Sequence, residues 1–299
     1  MLMGRAMAFL DYQPRSTLFH YCSAAGFDGI CATGSIWLTD LQHANDPKEL
    51  QLATVIQQVM SELESDPKVP PVLRSVYRQL QSRLERLRSR FGMYSSSFSL
   101  NGDQLPMWQE YTDRGRGYCI GFRATAFNHM PLRIQRVVYA NPSYFEAIHP
   151  QIEAIAAPLA GHHNDFLKEI EPITSILSLI TSVKDDTWAH ECEVRLIFSS
   201  MAKPADFDGE PMMPVSELRD GTPVFPADPA VRERAGVQVP YFSKPFGRMR
   251  GSQWDPSFAI SHVLIGPNNQ KSADEVAEGL HAKGYRGFEV ARSRCAFRP

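Results

Sequence analysis

The stretch TWAHECEVRLIF, residues 187–198, places charged side chains at alternate positions of an otherwise apolar run. In an extended strand, successive side chains point to opposite faces, so Glu191, Glu193 and Arg195 would share one face. Carboxylates two residues apart on a strand lie roughly 6 to 7 Å from each other at the Cα atoms. The pattern predicts a strand whose two glutamates can reach one ligand. It also fits a solvated face of ion pairs, which is common in antiparallel sheets.

The composition is that of an ordinary globular protein. The chain has 299 residues, of which 43% are apolar and 21% are charged, and its net charge is -2. This charge gives no general reason to expect a nucleic-acid or membrane partner. Five scattered cysteines without a C-x-x-C pair indicate neither a disulfide framework nor a zinc site. This cysteine usage predicts a protein of the reducing cytoplasm. No apolar run reaches the roughly eighteen residues of a membrane span, so we expect none.

The order of the predicted elements indicates one α+β domain over residues 1–299, with a mixed, largely antiparallel sheet and flanking helices. A helical insertion is predicted at about residues 46–91, where Asp46 is a candidate N-cap and Pro47 the first helical residue. A further helix is predicted over residues 164–183. Residues 202–239 are rich in Pro, Gly and Asp, so we expect a loop-rich excursion there.

The second helix of this insertion, predicted over residues 72–91, has a strongly basic face. Its apolar residues recur at steps of three and four, as in an amphipathic helix, and its other face carries six arginines against one glutamate, a balance of +5. Arg74, Arg78 and Arg86 would contact phosphates if this face bound nucleic acid. A solvated surface without a partner is the alternative.

Two other predicted strands carry polar side chains. The first strand of the chain ends in a His-Tyr pair, and the run FGMYSSSFSL, residues 91–100, places three serines on one face and Tyr94, Ser96 and Phe98 on the other. The alternation of side chains does not by itself show which face of the strand predicted at residues 91–100 lines a site. The candidate side chains are His20, Tyr21, Ser95, Ser97 and Ser99.

The segment LPMWQEYTDRGRGYCIGF, residues 105–122, predicts a short helix, a glycine-bearing turn and a strand. Trp108 and Tyr111 lie at helical spacing, and we expect them to be packing residues rather than a ligand platform. Asp40, His43 and Asp46 could be drawn as a metal cluster, but Asp46 is explained as a helix cap and the spacing implies no ligand geometry. We therefore expect no metal site.

Several ordered segments, among them LFHYCS, MWQEYTDRGRGYCIGF, WAHECEVRLIF and VLIGP, resemble the bacterial family known as domain of unknown function 2971. The resemblance runs from about Leu18 to Arg298. The name of that family implies no activity.

A more distant resemblance concerns the order of three short elements. The chain is similar to the ADP-ribosyltransferase superfamily in having a His on its first strand, a Ser-rich strand in the middle and Glu-x-Glu on a later strand. Cys22 stands where many of these enzymes have Thr, and the sequence lacks their paired tyrosine helix. The resemblance implies an ADP-ribosyltransferase-like fold and NAD as the substrate.

The same resemblance implies roles for the candidate residues. Glu193 would stabilise the cationic ribose that forms when its bond to nicotinamide breaks, and Glu191 would orient or deprotonate the acceptor. His20 would bind the adenosine ribose, and Tyr21 would contact the nicotinamide amide through its backbone. One or more of the three serines would position Glu193 or the nicotinamide ribose. The candidates for binding the pyrophosphate are Arg195, Arg114 and Arg116.

We therefore expect an NAD-dependent ADP-ribosyltransferase or NAD glycohydrolase that acts on a protein or nucleic-acid acceptor, in the setting of a toxin or a phage-defence effector. Two alternatives stay open. One is a non-catalytic module of the same fold that senses a nucleotide. The other is a nucleic-acid-binding protein that uses the Arg-rich helix at residues 74–90.

Overall fold

A computed structural model describes most of the chain. The described residues are 12–43, 52–88, 91–128, 130–140, 144–160, 172–173, 175–177, 179–201, 216–224, 228–234, 236–251 and 255–298. The predicted helix cap at Asp46 and Pro47 and the predicted helix start at residue 164 lie outside these ranges.

The strands are numbered in chain order. They are β1 (Leu18–Cys22), β2 (Ser35–Asp40), β3 (Phe91–Ser99), β4 (Tyr118–Phe122), β5 (Arg133–Arg136), β6 (Val138–Ala140), β7 (Val183–Asp185), β8 (Glu193–Met201), β9 (Ser216–Glu217), β10 (Pro223–Val224), β11 (Ala230–Arg234), β12 (Val237–Pro245), β13 (Ile260–Ile265) and β14 (Glu289–Arg292).

A ten-stranded sheet forms the centre of the protein. Its main path runs in the order β11-β12-β2-β3-β1-β4-β13-β14, with β8 attached to β3 and β5 attached to β8. Its strands pair in antiparallel fashion apart from β13 with β14. Two short pairs, β6 with β7 and β9 with β10, lie outside this sheet. The mixed, mostly antiparallel sheet with its helices confirms the predicted α+β class.

The helices are α1 (Ala24–Thr33), α2 (Leu52–Ser65), α3 (Pro71–Arg88), α4 (Leu105–Tyr111), α5 (Tyr144–Ala156) and α6 (Ala273–Ala282). Local sequence explains several of their ends. Ser23 caps α1 by accepting a hydrogen bond from the backbone N–H of Gly26, and Gly34, in the left-handed region at φ 62°, ends that helix. A capping box of Ser272 and Glu275 starts α6. None of the helices in the described ranges is apolar over enough length to cross a bilayer.

Strand β3 is the point where the sheet forks. Along its whole length it pairs with β8, from Phe91 opposite Met201 to Ser99 opposite Glu193. Its other edge meets two strands in turn, because β2 pairs at Ser95 and β1 pairs at Ser99. The strands β1 and β2 therefore diverge from β3, and the sheet opens between them.

Two hydrophobic cores support this sheet. The larger core packs buried residues of the sheet, such as Phe98, Phe122 and Leu196, with residues of α1 and α6. The second core is formed mainly by α2, α3 and α5, with Tyr77 and Ile152 among its buried side chains. The apolar stripe of α3 lies in this second core, which confirms the amphipathic helix predicted from residue 72.

Two predicted helix boundaries need correction. The chain is helical at residues 179–180, but Val183 begins β7 rather than ending the predicted helix. Its β-branched side chain is suited to an extended strand. Phe91 belongs to β3 rather than to the amphipathic helix. Helix α5 was not predicted from the sequence, and it contains Pro150 in its interior.

The expected loop-rich excursion at residues 202–239 also contains regular structure. In its described part, β9, β10 and β11 are strands, and β12 begins at Val237. Strand β12 pairs with β2 over five residue pairs, and β11 covers its outer edge. The composition of this region predicted loops, but pairing with an existing sheet supplies hydrogen bonds that composition does not reveal.

Candidate functional site

A cavity of about 320 Å³ lies against the forked part of the sheet. It is lined by the strands β1, β2, β3 and β11, by α4, and by the segment that leads into β8. Among the lining side chains are three cations and two of the predicted carboxylates. These residues are Lys184, Arg232, Arg234, Glu191 and Glu193.

Glu193 is the first residue of β8 and is almost fully buried, with 3% of its surface exposed. Arg195 donates to both of its carboxylate oxygens, from Nε at 2.8 Å and from Nη2 at 2.9 Å. The side chain of Ser97 also hydrogen-bonds to it. Burial opposes the charge of Glu193, but Arg195, helped by Lys184 and Ser97, lowers the pKa of this carboxyl to about 2. Glu193 is therefore ionised at neutral pH.

Glu191 does not lie on the strand that the sequence predicted. It ends a 3-10 helix, Asp186–Glu191, and β8 begins only two residues later. Between them Cys192 adopts a left-handed conformation at φ 45° and ψ 47°. The two glutamates therefore reach one site from a helix end and from a strand, and not by alternation along one strand. The predicted solvated ion-pair face is also wrong, since Glu191 is only 3% exposed and Arg195 only 1%.

Two groups hold the Glu191 carboxylate. Lys184 Nζ lies 2.6 Å from Oε2, and the Tyr111 hydroxyl donates to Oε1. Burial raises the pKa of Glu191, and the nearby charge of Glu193 raises it further, while Lys184 and Tyr111 act in the opposite direction. The carboxyl is therefore a stronger base than an exposed glutamate.

Sequence reasoning did not find Lys184, which is central to this arrangement. The buried ammonium group lies 2.6 Å from Glu191 and 3.7 Å from Glu193, and it also stacks over the Trp188 ring at 4.5 Å. Lys184 sits in β7, in a region predicted to end a helix. The only sequence signal was a lone Lys beside the apolar Val183, which is too common to indicate a site.

The three serines lie on one face of β3 with different surroundings. Ser97 is exposed toward the cavity and hydrogen-bonds to Glu193. Ser99 is buried and its hydroxyl donates to the backbone carbonyl of Glu191 at 2.6 Å, which ties β3 to the 3-10 helix. Ser95 is buried opposite Thr39 of β2. Of the three, Ser97 contacts a cavity carboxylate directly.

His20 lies at the fork of the sheet. Its Nδ1 is 2.9 Å from the carbonyl oxygen of Ser97, and its ring packs against Phe98 at 5.2 Å. Burial lowers the pKa of His20, and the hydrogen bond to Ser97 only partly opposes this. A neutral ring that bridges β1 and β3 therefore lines the cavity.

Tyr21 and Trp108 support the loop beside the cavity. The Tyr21 hydroxyl donates to the Asn101 carbonyl at 3.0 Å and accepts from the backbone N–H of Gln104 at 3.1 Å. Trp108 is fully buried and packs edge-on against Tyr21. The prediction that Trp108 is a packing residue is confirmed. Tyr111 also packs against this cluster, as predicted, and in addition its hydroxyl donates to Glu191.

None of the three arginines predicted for a pyrophosphate lines the cavity. Arg195 lies below its surface, where its guanidinium binds Glu193 and the Thr181 carbonyl. Arg114 and Arg116 are exposed in the glycine-bearing turn, whose carbonyls are bound by two asparagines, Asn268 and Asn269. The arginines that do line the cavity come from β11, in the region expected to form loops.

No described residue of the basic helix lines the cavity, whereas Asp40 and His43 of the discarded metal cluster do. Arg78 of α3 is 73% exposed and pairs with Glu64 at 2.6 Å. Arg74 is half-buried, and the side chain of Arg86 is not among those that the structure describes. Asp40 lies 3.5 Å from His43. Across the described ranges, no group of three His, Cys, Asp or Glu side chains is arranged to hold a metal ion.

Comparison with known proteins gives one match. No curated protein and no solved structure matches the chain. Residues 107–196 match a family described as "Protein of unknown function (DUF2971)". The matched segment contains Tyr111, Lys184, Glu191 and Glu193, so it spans the carboxylate end of the cavity. This match supports the predicted resemblance, and the chain is similar to the DUF2971 family over those residues.

Proposed function

We propose that this protein breaks the bond between nicotinamide and ribose in NAD and transfers the ADP-ribosyl group to an acceptor or to water. The observation that carries the proposal is the pair of buried carboxylates, Glu191 and Glu193, at a cavity in a forked sheet. Their surroundings drive their pKa values in opposite directions. Such pairs are typical of sites that need one permanently charged group and one proton acceptor.

In this proposal Glu193 stabilises the transition state. When the glycosidic bond breaks, its electron pair leaves with the nicotinamide nitrogen, and positive charge passes to the ribose. A carboxylate that stays ionised at neutral pH stabilises this developing charge more than it stabilises the bound substrate. Arg195 and Ser97 fix its position, and a carboxylate oxygen can accept a further hydrogen bond from a ribose hydroxyl.

Glu191 then activates the acceptor. An acceptor hydroxyl, or water for the hydrolase, forms a bond to the ribose carbon while its proton passes to Glu191. The raised pKa of Glu191 favours this proton transfer, and Lys184 and Tyr111 hold the carboxylate in place. A protein or a nucleic acid would supply the acceptor hydroxyl, and a toxin or phage-defence effector is the proposed setting.

The test is nicotinamide release from NAD by the purified protein. We expect release by the wild type and a loss of at least about a hundredfold in Glu193→Gln, because the charge is removed while the shape is kept. Glu289→Gln is the matched control, since Glu289 is 85% exposed on β14. The absence of release from the wild type, or equal release from wild type and Glu193→Gln, would contradict the proposal.

A binding module without turnover is the second candidate, and one observation favours it. Both carboxylate oxygens of Glu193 already accept hydrogen bonds from Arg195, which reduces the negative charge available to a ribose. In that case the protein binds NAD or ADP-ribose but releases no nicotinamide. Calorimetric titration beside the release assay separates the two candidates.

A further inference from the structure

Helix α4 carries Tyr111 to Glu191 but is too short to be stable by itself. It has only seven residues, Leu105–Tyr111, and the side chain of Gln104, its N-cap residue, makes no capping hydrogen bond. A helix shorter than about 12 residues is marginal in water without tertiary contacts. The position of the Tyr111 hydroxyl therefore depends on what packs around α4.

Asp103 fastens the C-terminal segment, residues 293–297, to this helix. Its Oδ1 accepts hydrogen bonds from Trp108 Nε1 at 2.8 Å and from the Ser293 hydroxyl. Its Oδ2 accepts from the backbone N–H of Arg294 at 2.9 Å. Burial opposes the charge of Asp103, but these hydrogen bonds lower the pKa of its carboxyl. An ionised carboxylate therefore joins a side chain of α4 to two residues that follow β14.

Apolar contacts continue this attachment along the helix. Cys295 and Phe297 pack against a buried cluster around Trp108, and Tyr111 packs against the same cluster. The Phe297 ring also lies close to Gly115, in the turn that follows α4, where a Cβ would come within 2.9 Å of it. The C-terminal segment thus holds α4 at Trp108 and again beyond the end of the helix.

Several titratable groups face the Glu191 carboxyl besides Tyr111. Lys184 of β7 and Glu193 of β8 are charged, and Tyr139 of β6 is near enough to feel the Glu191 charge. Burial and the charge of Glu193 raise the pKa of Glu191. Lys184 and Tyr111 lower it. The sheet pairing of β6, β7 and β8 sets the positions of their side chains, whereas Tyr111 comes from a short helix that other segments hold.

We propose that Asp103 is a positioning residue, which acts through the C-terminal segment and α4 to hold the Tyr111 hydroxyl on the carboxylate of Glu191. Asp103 itself does not line the cavity, so it acts through these contacts and not on the ligand. The inference rests on the proposed function for the part that Glu191 plays in the reaction. The positioning itself is measured without NAD.

The experiment follows the pKa of Glu191 by NMR titration of protein labelled at the glutamate carboxyl carbons. The resonance that is absent from Glu191→Gln identifies this group. Asp103→Asn removes the charge and keeps the shape, and Ser293→Ala removes one donor, so it serves if the first variant is too unstable. We expect both to raise the pKa of Glu191, and neither by more than Tyr111→Phe, because they weaken the same hydrogen bond. The matched control is Asp274→Asn, at an exposed site of α6, which should leave this pKa unchanged.

Combined substitutions separate positioning from general destabilisation. In a Tyr111→Phe background the hydroxyl is already absent, so Asp103→Asn should cause no further rise in the pKa of Glu191. In the wild-type background Asp103→Asn should also lower kcat/KM for NAD at pH values below the pKa of Glu191, and much less at higher pH. We expect a decrease of about twofold to tenfold, the usual effect of one hydrogen bond.

The outcomes distinguish this inference from the proposed reaction. An equal rise in both backgrounds, or no rise in Asp103→Asn when Tyr111→Phe shows one, would overturn the inference and leave the proposed function standing. A rise that depends on Tyr111, in a protein that releases no nicotinamide from NAD, would support the positioning and overturn the proposed reaction. Melting temperatures check that each variant is folded over the titrated range.

Discussion

At the residue scale, Glu191 and Glu193 carry the same carboxyl group, but their pKa values are shifted in opposite directions. Glu193 has a bidentate arginine partner, which holds the pKa of this carboxyl far below its usual value. Glu191 is equally buried but has a lysine and a tyrosine as partners and a second carboxylate nearby, so its pKa is raised. Lys184 lies within 4 Å of both carboxylates, so it does not account for the difference between their pKa values. Among the close cations, that difference comes from Arg195, which pairs with Glu193.

Tyr111→Phe tests the role of Glu191 as a proton acceptor. The Tyr111 hydroxyl donates to the Glu191 carboxylate and thereby favours its charged form, so its loss should raise the pKa of Glu191 further. A base must be deprotonated to act, and we therefore expect the acidic limb of the kcat/KM profile for NAD to move to higher pH. Stability should fall by about 1.5 to 3 kcal/mol, as for other hydrogen bonds to charged groups.

The control for this prediction is Tyr77→Phe. The Tyr77 hydroxyl is buried in the helical core without a hydrogen-bond partner among the described residues, so its removal should leave the pH profile unchanged. If Tyr111→Phe lowers activity equally at every pH, Glu191 is not the titrating base.

At the scale of elements, the junction between the 3-10 helix Asp186–Glu191 and β8 builds the site. An uninterrupted strand would bring the two glutamates to one face about 6 to 7 Å apart. The left-handed Cys192 instead lets Glu191 arrive from the helix while Glu193 arrives from the strand. Ser99 of β3 then fastens the end of the helix to the sheet through the Glu191 carbonyl. The position of Glu191 therefore depends on a backbone conformation as well as on its own partners.

Substitutions of Cys192 test this junction. A left-handed conformation costs an L-residue about 1 to 2 kcal/mol relative to glycine, and a β-branched side chain is least suited to it. We expect Cys192→Val to be less stable than Cys192→Gly by at least about 1 kcal/mol in urea unfolding. Both variants lose the thiol, so the comparison isolates the backbone. Equal stability of the two would show that residue 192 is not held in this conformation in solution.

At the scale of the whole molecule, the buried charges make stability depend on pH. The pKa of Glu193 is about 2 in the folded protein, against 4.5 for an unperturbed glutamate. A lowered folded pKa means that the stabilising contribution is complete above pH 4.5 and is lost as the pH falls from about 4.5 to about 2. Glu191 acts in the opposite sense. Its pKa is raised in the folded protein, so its charged form lowers the stability of the fold at high pH, and protonation at lower pH removes this loss of stability.

The double substitution Glu193→Gln with Arg195→Met checks this pH dependence. It removes both members of the buried pair, so no charge of that pair is left uncompensated. We expect the double variant to lose less stability than the wild type between pH 4.5 and pH 2, as measured by chemical denaturation at each pH. Glu193→Gln alone should be less stable than the double variant at neutral pH by about 3 kcal/mol, because it leaves Arg195 buried without its partner. A wild type and a double variant with parallel profiles would show that this pair does not control acid unfolding.

The predictions made from sequence differ in quality for physical reasons. The amphipathic helix α3, the strand β3 and the turn near residues 114–117 follow from local periodicity and from glycine, and the structure contains them. The strands β11 and β12 were missed because β12 is stabilised by pairing with the distant strand β2, and β11 by pairing with β12. As a result the sequence pointed to Arg195, Arg114 and Arg116 as anion ligands, whereas the cavity is lined by Arg232 and Arg234.

The sequence by itself determined the α+β class and the polar residues from which the site is assembled. The class follows from hydrophobic periodicity, which is a pattern among neighbouring residues, and the polar residues interrupt that pattern at identifiable positions. Only the tertiary structure decided that Lys184 and Tyr111 meet Glu191, that the Glu193–Arg195 pair is buried, and that the sheet forks at β3. Burial and strand order depend on residues far apart in the chain, and the position of Glu191 depends on one left-handed residue, Cys192. Charge, burial and pKa at the site depend on such contacts, and no local pattern specifies them.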